Sequence, residues 1–267
     1  MVAKKKRAVA KRSASTGVAK VSAKFAGQLS RQRATLKTFA GNSITIDNST
    51  FYLGEESLGD ALTCVVLDSV FEHRYFEGEY QEGSRDAPDC FALGLNEDEL
   101  APHDNSKDKQ DDSCATCQWN KFGSGRGKAK KCQNRIRLML VPTVDATPAK
   151  ILEAESFMLA VPPTSIKTFN EYANMLFNQF EAPTCFVSTV ITASQEKGKT
   201  YSNLHFDYAD GLAMPKGFED KLFSKVELAQ QAMLQPYNSV VEETAAPKKK
   251  AATKKKAATT KRRSRLS

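Results

Sequence analysis

Four of the chain's six cysteines fall in one window: Cys90, Cys114, Cys117 and Cys132. Cys114 and Cys117 form a CxxC pair, followed by a Gly- and Lys-rich run that ends at Cys132. That run is too polar to bury a core of its own. A CxxC turn puts two thiolates on one side of a tight knuckle, and a tetrahedral Zn²⁺ needs two more ligands. Cys90 and Cys132 can supply them. Such a zinc would be structural, clipping the loop together, because four protein ligands leave no open position for a catalytic water. His103 is a substitute fourth ligand, ranked below Cys90. The competing reading is a disulfide or free thiols. The N-terminus is Lys-rich and lacks the apolar stretch of a secretory signal, and a reducing compartment favours metal over disulfide.

Charge divides the chain. The net charge is +8, yet residues 1–37 hold 11 Lys/Arg and residues 247–267 hold 10, neither segment with an acid. Taking those 21 from the total of 39 leaves 18 basic residues against 31 acidic ones, a net of −13 for the middle. The reading is an acidic body (38–240) between two basic tails (1–37 and 241–267). The tails are rich in Ala, Lys, Ser and Thr, cannot bury enough surface to offset chain entropy, and are expected to be disordered and drawn to polyanions. A counterion-releasing grip on nucleic-acid phosphates is favoured over a merely solubilising role. No apolar run is long enough to span a membrane.

Along the body, 43–46 and 50–53 are short β-like pieces around Asp47-Asn48. Residues 61–77 are β-rich and partly two-sided, with Cys64 a core thiol. Residues 89–95 form a short strand carrying Cys90, and 96–112 an acidic excursion from the sheet. In 134–141, Ile136, Leu138 and Leu140 point one way while Arg135, Arg137 and Met139 point to a non-core face. Residues 155–161 continue the β pattern. Thr164-Ser165 can cap a helix over 165–180, whose stripe Ile166, Phe169, Ala173, Leu176, Phe177 and Phe180 is predicted to be core. A hairpin over 184–195 and 200–208 turns at Gly198. A C-terminal helix runs from Phe218 to Met233. The expected fold is mainly β (α+β): a five-stranded OB-like barrel with a helix between strands 3 and 4, a zinc loop inserted at 89–135, a C-terminal helix and disordered basic tails. An unrelated small α+β sheet is the other compact option.

Several strings resemble bacteriophage zinc-containing single-stranded-DNA-binding proteins of the OB-fold type. They are Leu-Gly-Asp-Ala-Leu (58–62), Asp-Cys-Phe-Ala-Leu-Gly (89–94), Cys-Ala-Thr-Cys-Gln-Trp-Asn-Lys-Phe-Gly-Ser (114–124), Gly-Lys-Ala-Lys-Lys-Cys-Gln-Asn-Arg-Ile-Arg-Leu (127–138) and Val-Pro-Pro-Thr-Ser (161–165). The resemblance covers about residues 40–210, and the cysteine block is its most specific part. It implies an OB-like fold, a structural zinc and a role in phage DNA replication or recombination in the cytoplasm of the bacterial host. It departs in one respect: many such proteins end in an acidic tail that recruits partners, and this chain ends in a basic one.

Binding unpaired strands without sequence preference needs a positive groove and exposed aromatic faces. Residues 121–137 hold seven cations and no acid: Lys121, Arg126, Lys128, Lys130, Lys131, Arg135 and Arg137. Trp119 and Phe122 are the stacking candidates in the loop, with packing over the knuckle an equal alternative for Trp119. Tyr75, Tyr80 and Tyr201 are second-line candidates. The glycines of 123–127 do not form a P-loop, since Gly-Lys-Ala leads to a cysteine and a strand; they read as flexible backbone. His73, His103 and His205 lack paired metal spacing, and no nucleophile elbow appears, so the chain reads as a non-enzyme without a small-molecule substrate. Its expected partners are single-stranded DNA and replication or recombination proteins. Two alternatives remain: a zinc-stapled adaptor or transcription regulator with nonspecific DNA-binding tails, and a nucleoid-compacting protein that works through its tails.

Overall fold

A computed structural model describes residues 43–78, 87–143, 147–198 and 201–237. The two basic tails and Tyr80 lie outside the described residues. Strand β4 (Ala61–Tyr75) is the hub of the structure. Its first turn of sequence alternates exposed and buried residues, but Cys64–Leu67 are all buried, as a strand covered on both faces requires. One edge of β4 pairs with β6 (Gln133–Pro142) over Cys64–Arg74. The other edge takes two strands end to end: β8 (Val187–Ser194) along Ala61–Cys64 and β5 (Cys90–Gly94) along Phe71–Tyr75.

The sheet extends from β6 through β7 (Phe157–Val161) to β1 (Ser43–Asp47), β2 (Thr50–Leu53) and β3 (Glu56–Gly59), and from β8 to β9 (Asn203–Gly211). All pairings are antiparallel except β1 with β7, which is parallel through Ser43↔Met158 and Ile44↔Leu159. The sheet is strongly curled, half of a barrel, so that β2 and β3 come back against β4. The fold is thus mixed α+β and dominated by β structure, and the described residues place nine strands in the sheet where five were expected.

Each face of the sheet has its own core. Inside the curl, Phe51, Val66, Ile136, Leu138, Leu140 and Leu159 meet Phe169, Tyr172 and Leu176 of helix α2 (Ile166–Phe180). On the outer face a bulge at Leu67 re-phases β4, so Val65, Leu67 and Val70 share one layer with Met139 and Val141. Helices α1 (Pro148–Glu153) and α3 (Phe218–Met233) cover that layer through Ile151, Phe218, Leu222, Ala229 and Met233. This corrects the expectation for β6: the side carrying Arg137 and Met139 is not an open face, because α3 lies on it. Each buried Leu, Ile or Phe contributes about 1.5–3 kcal/mol, so a face with this apolar inventory gains by recruiting a helix.

Helix α2 also departs from its expected stripe. Phe177 is 70% exposed, and Phe180 leaves the core to stack on Tyr208 of β9 at 4.8 Å. Ser165 sits at the cap position, yet its Oγ accepts the Leu204 N–H at 2.8 Å and ties the helix start to β9. Glu181 closes the helix with φ +49° just before Pro183. Among the described residues, no helix is long and apolar enough to cross a membrane.

Candidate nucleic-acid interface and its cysteine pocket

The end of β4, the start of β5 and the start of β6 converge where the four cysteines gather. Tyr75 pairs with Cys90, and Arg74 pairs with both Phe91 and Gln133, which brings Cys90 and Cys132 to adjacent strand ends. The segment 96–112 does not leave the sheet as expected. It lies back along β5: His103 N–H donates to Phe91 O and Asp108 N–H to Asp89 O, each at 2.8 Å, while Ser106 Oγ accepts the Phe91 N–H at 3.1 Å. Leu100 is buried against Ala92 and Cys114. The backbone of this acidic run is therefore held in place, which its polar composition concealed. The CxxC knuckle follows, with Cys114 N–H donating to Leu100 O at 2.9 Å and Cys117 N–H to Ser113 O at 3.2 Å.

Cys90, Cys114, Cys117 and Cys132 are all buried and line one cavity of about 20 Å³. Burial first, and then the neighbouring thiols, push Cys114 and Cys132 up to about 12; burial likewise raises Cys90. As bare thiolates the four would repel one another in a poorly solvated place, and a divalent cation would reverse that sign. Four thiols are a donor set that Zn²⁺ accepts. Among the described residues, however, no group of three or more His, Cys, Asp or Glu side chains is already arranged to hold a metal ion. His103 does not line the cavity. Its ring stacks on Phe91 at 5.0 Å, and its Nδ1 accepts the Asn105 N–H. His73 does line the cavity, reaching in from β4 with its Nε2 3.4 Å from Glu97 Oε1. Position could have signalled it, since it shares a strand face with Tyr75, two residues on.

The aromatic candidates separate. Tyr75 is buried, and its ring lies 5.4 Å from Trp119. Trp119 is half-buried over Cys90 and Cys132, and its Nε1 donates to Gln110 Oε1 at 2.9 Å. Tyr75 lines the cavity and Trp119 packs against Tyr75, Cys90 and Cys132, so neither ring stands open for stacking. Phe122 is 82% exposed. Tyr201 is exposed as well, at the β9 end of the hairpin.

The glycine loop is built, not slack. Gly125 N–H donates to Ala129 O at 2.9 Å, Gly123 N–H to Ala129 O at 3.1 Å, and Lys131 N–H to Ser124 Oγ at 3.0 Å. A Cβ on Gly125 would stand 2.9 Å from the backbone of Lys130 and Lys131. The glycine is needed there for close backbone approach, which corrects its reading as flexible backbone. On this loop Lys121, Phe122, Arg126 and Lys128 are all exposed. Lys130 Nζ sits 5.1 Å over the Phe122 ring and donates to Asn120 Oδ1. Lys131 Nζ donates to the carbonyls of Glu77 and Gly78 at 3.2 Å.

The two strand arginines part company. Arg135 is half-buried and donates to Gln133 Oε1 at 3.4 Å. Arg137 is 6% exposed and fully engaged. Its Nε and Nη2 donate to Glu72 Oε1, and its Nη1 donates to Met233 O at 2.7 Å and Gln235 O at 3.3 Å. It cannot serve as a phosphate ligand, which corrects its assignment to the DNA path. Glu72 was not singled out from the sequence. Burial alone would raise its carboxyl, but Arg137, then Arg74 and the Tyr237 hydroxyl outweigh burial and hold it below the usual carboxylate range.

No family model, curated protein or solved structure matches the chain.

Proposed function

We propose that the chain binds single-stranded DNA, largely without sequence preference, and protects it during phage DNA replication or recombination in the cytoplasm of a bacterial host. The observation that carries this reading is Phe122, held 82% exposed on a backbone-bonded loop among Lys121, Arg126, Lys128 and Lys130. A solvent-facing aromatic with one cation at its ring and others on the same loop is what an unpaired base and its phosphates require. The acid-free runs 1–37 and 247–267 supply further phosphate contacts. On this reading the curled sheet is an elaborated OB-like barrel, and the chain is akin to the phage zinc-containing single-stranded-DNA-binding proteins that its motifs resemble. Cys90, Cys114, Cys117 and Cys132 hold a structural Zn²⁺ that locks the loop in its DNA-binding shape. The chain's own part is to bring the four thiols to one cavity lined also by Tyr75, with Trp119 packed against Cys90 and Cys132.

The experiment is an equilibrium titration of the full chain with short single- and double-stranded oligonucleotides at about 0.15 M salt. One stacked base is worth about 1–3 kcal/mol, so the unpaired strand should bind about 5- to 150-fold tighter. Equal affinity for both would defeat the reading. A second reading, a zinc-stapled adaptor or transcription regulator that binds protein, is favoured by one observation. Phe177, Phe180 and Tyr208 are exposed aromatics on α2 and β9, with Phe180 stacked on Tyr208. On that reading duplex and single strands would bind alike, through the tails.

A further inference from the structure

Asn120 stands between the cysteine knuckle and the exposed ring of the loop. Its backbone N–H donates to Cys117 O at 3.1 Å and its Nδ2 donates to Cys114 O at 2.8 Å, so both residues of the CxxC pair hold it. Its Oδ1 accepts a hydrogen bond at 3.0 Å from Lys130 Nζ, which comes from the other arm of the loop, two residues before Cys132. That same ammonium lies over the Phe122 ring, 5.1 Å from its centroid. Asn120 is half-buried and lines the cavity of the four thiols, whereas Phe122 is 82% exposed. One side chain therefore joins the inside of the pocket to the surface of the loop.

We infer that Asn120 is a positioning residue for the single strand: it hangs Lys130 from the knuckle and so holds the ammonium on one face of Phe122. The inference rests on the single-strand-binding reading and adds to it the residue that sets the geometry of the contact. Asn120 touches no part of the bound strand; it acts through Lys130. Its chemistry suits that task. The amide is neutral, so it fixes the ammonium without cancelling its charge, and it takes one of the three N–H donors of a lysine, leaving the others for a phosphate. Lys107 and Lys109 on the acidic run show the contrast, since each is paired with a carboxylate, Asp89 and Asp104. With Lys130 on one face, the exposed Phe122 ring keeps its other face for a base. A lysine side chain that is already held need not be ordered on binding, and that saving is worth about 2- to 12-fold in affinity.

The test is a double-mutant cycle on the full chain: parent, Asn120→Ala, Lys130→Met and the two changes together. Each is titrated with a short unpaired strand and with a duplex at about 0.15 M salt, and the salt dependence of Kd is read. Lys130→Met keeps the apolar stem and removes the charge, so it should weaken single-strand binding and lower the salt slope by about 0.7, one phosphate contact. Asn120→Ala should weaken binding about 2- to 12-fold in the parent and have no further effect in the Lys130→Met background. A residue that merely braced the knuckle would not give that second result. Asn120→Ala binding like the parent, or a loss that persists undiminished in the Lys130→Met background, with or without release of zinc, would overturn the inference and leave the single-strand reading standing. A parent that bound duplex as tightly as the unpaired strand would overturn the reading itself.

Discussion

Replacing Arg137 by Ala should unfold the body more readily without first acting on DNA. The guanidinium is 6% exposed, and it neutralises Glu72, which is itself 2% exposed. Removing one partner of a buried pair typically costs about 3–5 kcal/mol, because the other charge is left without compensation. The buried carbonyl of Met233 loses its donor at the same time, with a further penalty of about 1–3 kcal/mol for an unsatisfied buried group, whereas the exposed Gln235 can turn its carbonyl to water. Protonating Glu72 relieves part of the first cost, so about 3–5 kcal/mol in all is the working figure. With a urea m-value of about 2 kcal/mol/M, the midpoint should fall by about 1.5–2.5 M. A Glu72→Gln/Arg137→Met variant, which removes both charges and keeps the volume, should recover most of that loss. The pH dependence has a definite sign. Glu72 is depressed in the folded state, so its contribution is present above the ordinary carboxylate range and is lost as pH falls through the lowered folded value. The parent should therefore lose stability towards acid more steeply than the double variant. Urea melts at neutral and acidic pH, followed by circular dichroism, measure all of this. If Arg137→Ala left the midpoint within about 0.5 M and instead flattened the salt slope of DNA binding, the buried-clamp argument would be wrong.

The remaining predictions concern the loop. Gly125→Ala drives a Cβ to 2.9 Å from the Lys130 and Lys131 backbone, so the loop must open. Single-strand affinity should fall when global stability moves by less than about 1 kcal/mol, since the strain is confined to an exposed turn; unchanged affinity would show that loop shape is immaterial. Cys114→Ser/Cys117→Ser should abolish one bound zinc per chain, as counted by metal analysis, and lower the melting temperature. Metal content equal to the parent's would refute the ligand assignment.

What the sequence revealed about the fold was the part written locally. The apolar run after Leu62 marked β4, the Ile136-Leu138-Leu140 alternation marked β6, and three- and four-residue spacing marked α2 and α3. What it hid depends on partners far along the chain. Arg137 reads as a surface cation beside other cations, and only its neighbour Glu72, 65 residues earlier, makes it a core residue. Met139 looked outward until α3 arrived to cover it. Helix α1 went unread, although Pro148 after Thr147 is a helix-start signal. In the site, the CxxC and its outer pair identified the residues that share one cavity. The placement of Trp119 depended on Gln110, and the acidic run 96–112 is fixed by backbone bonds to Asp89 and Phe91 that composition cannot announce. Gly125 shows the same limit, since a tight backbone approach and a flexible hinge look alike as letters.

The account stands most directly on Phe122. Its ring is so exposed that Phe122→Ala should leave the thermal melt unchanged. The same change should weaken binding of the full chain to a short unpaired strand by about 5- to 150-fold, the value of one stacked base. An equal Kd for parent and variant at the same salt would contradict the claim that this loop is where unpaired bases lie.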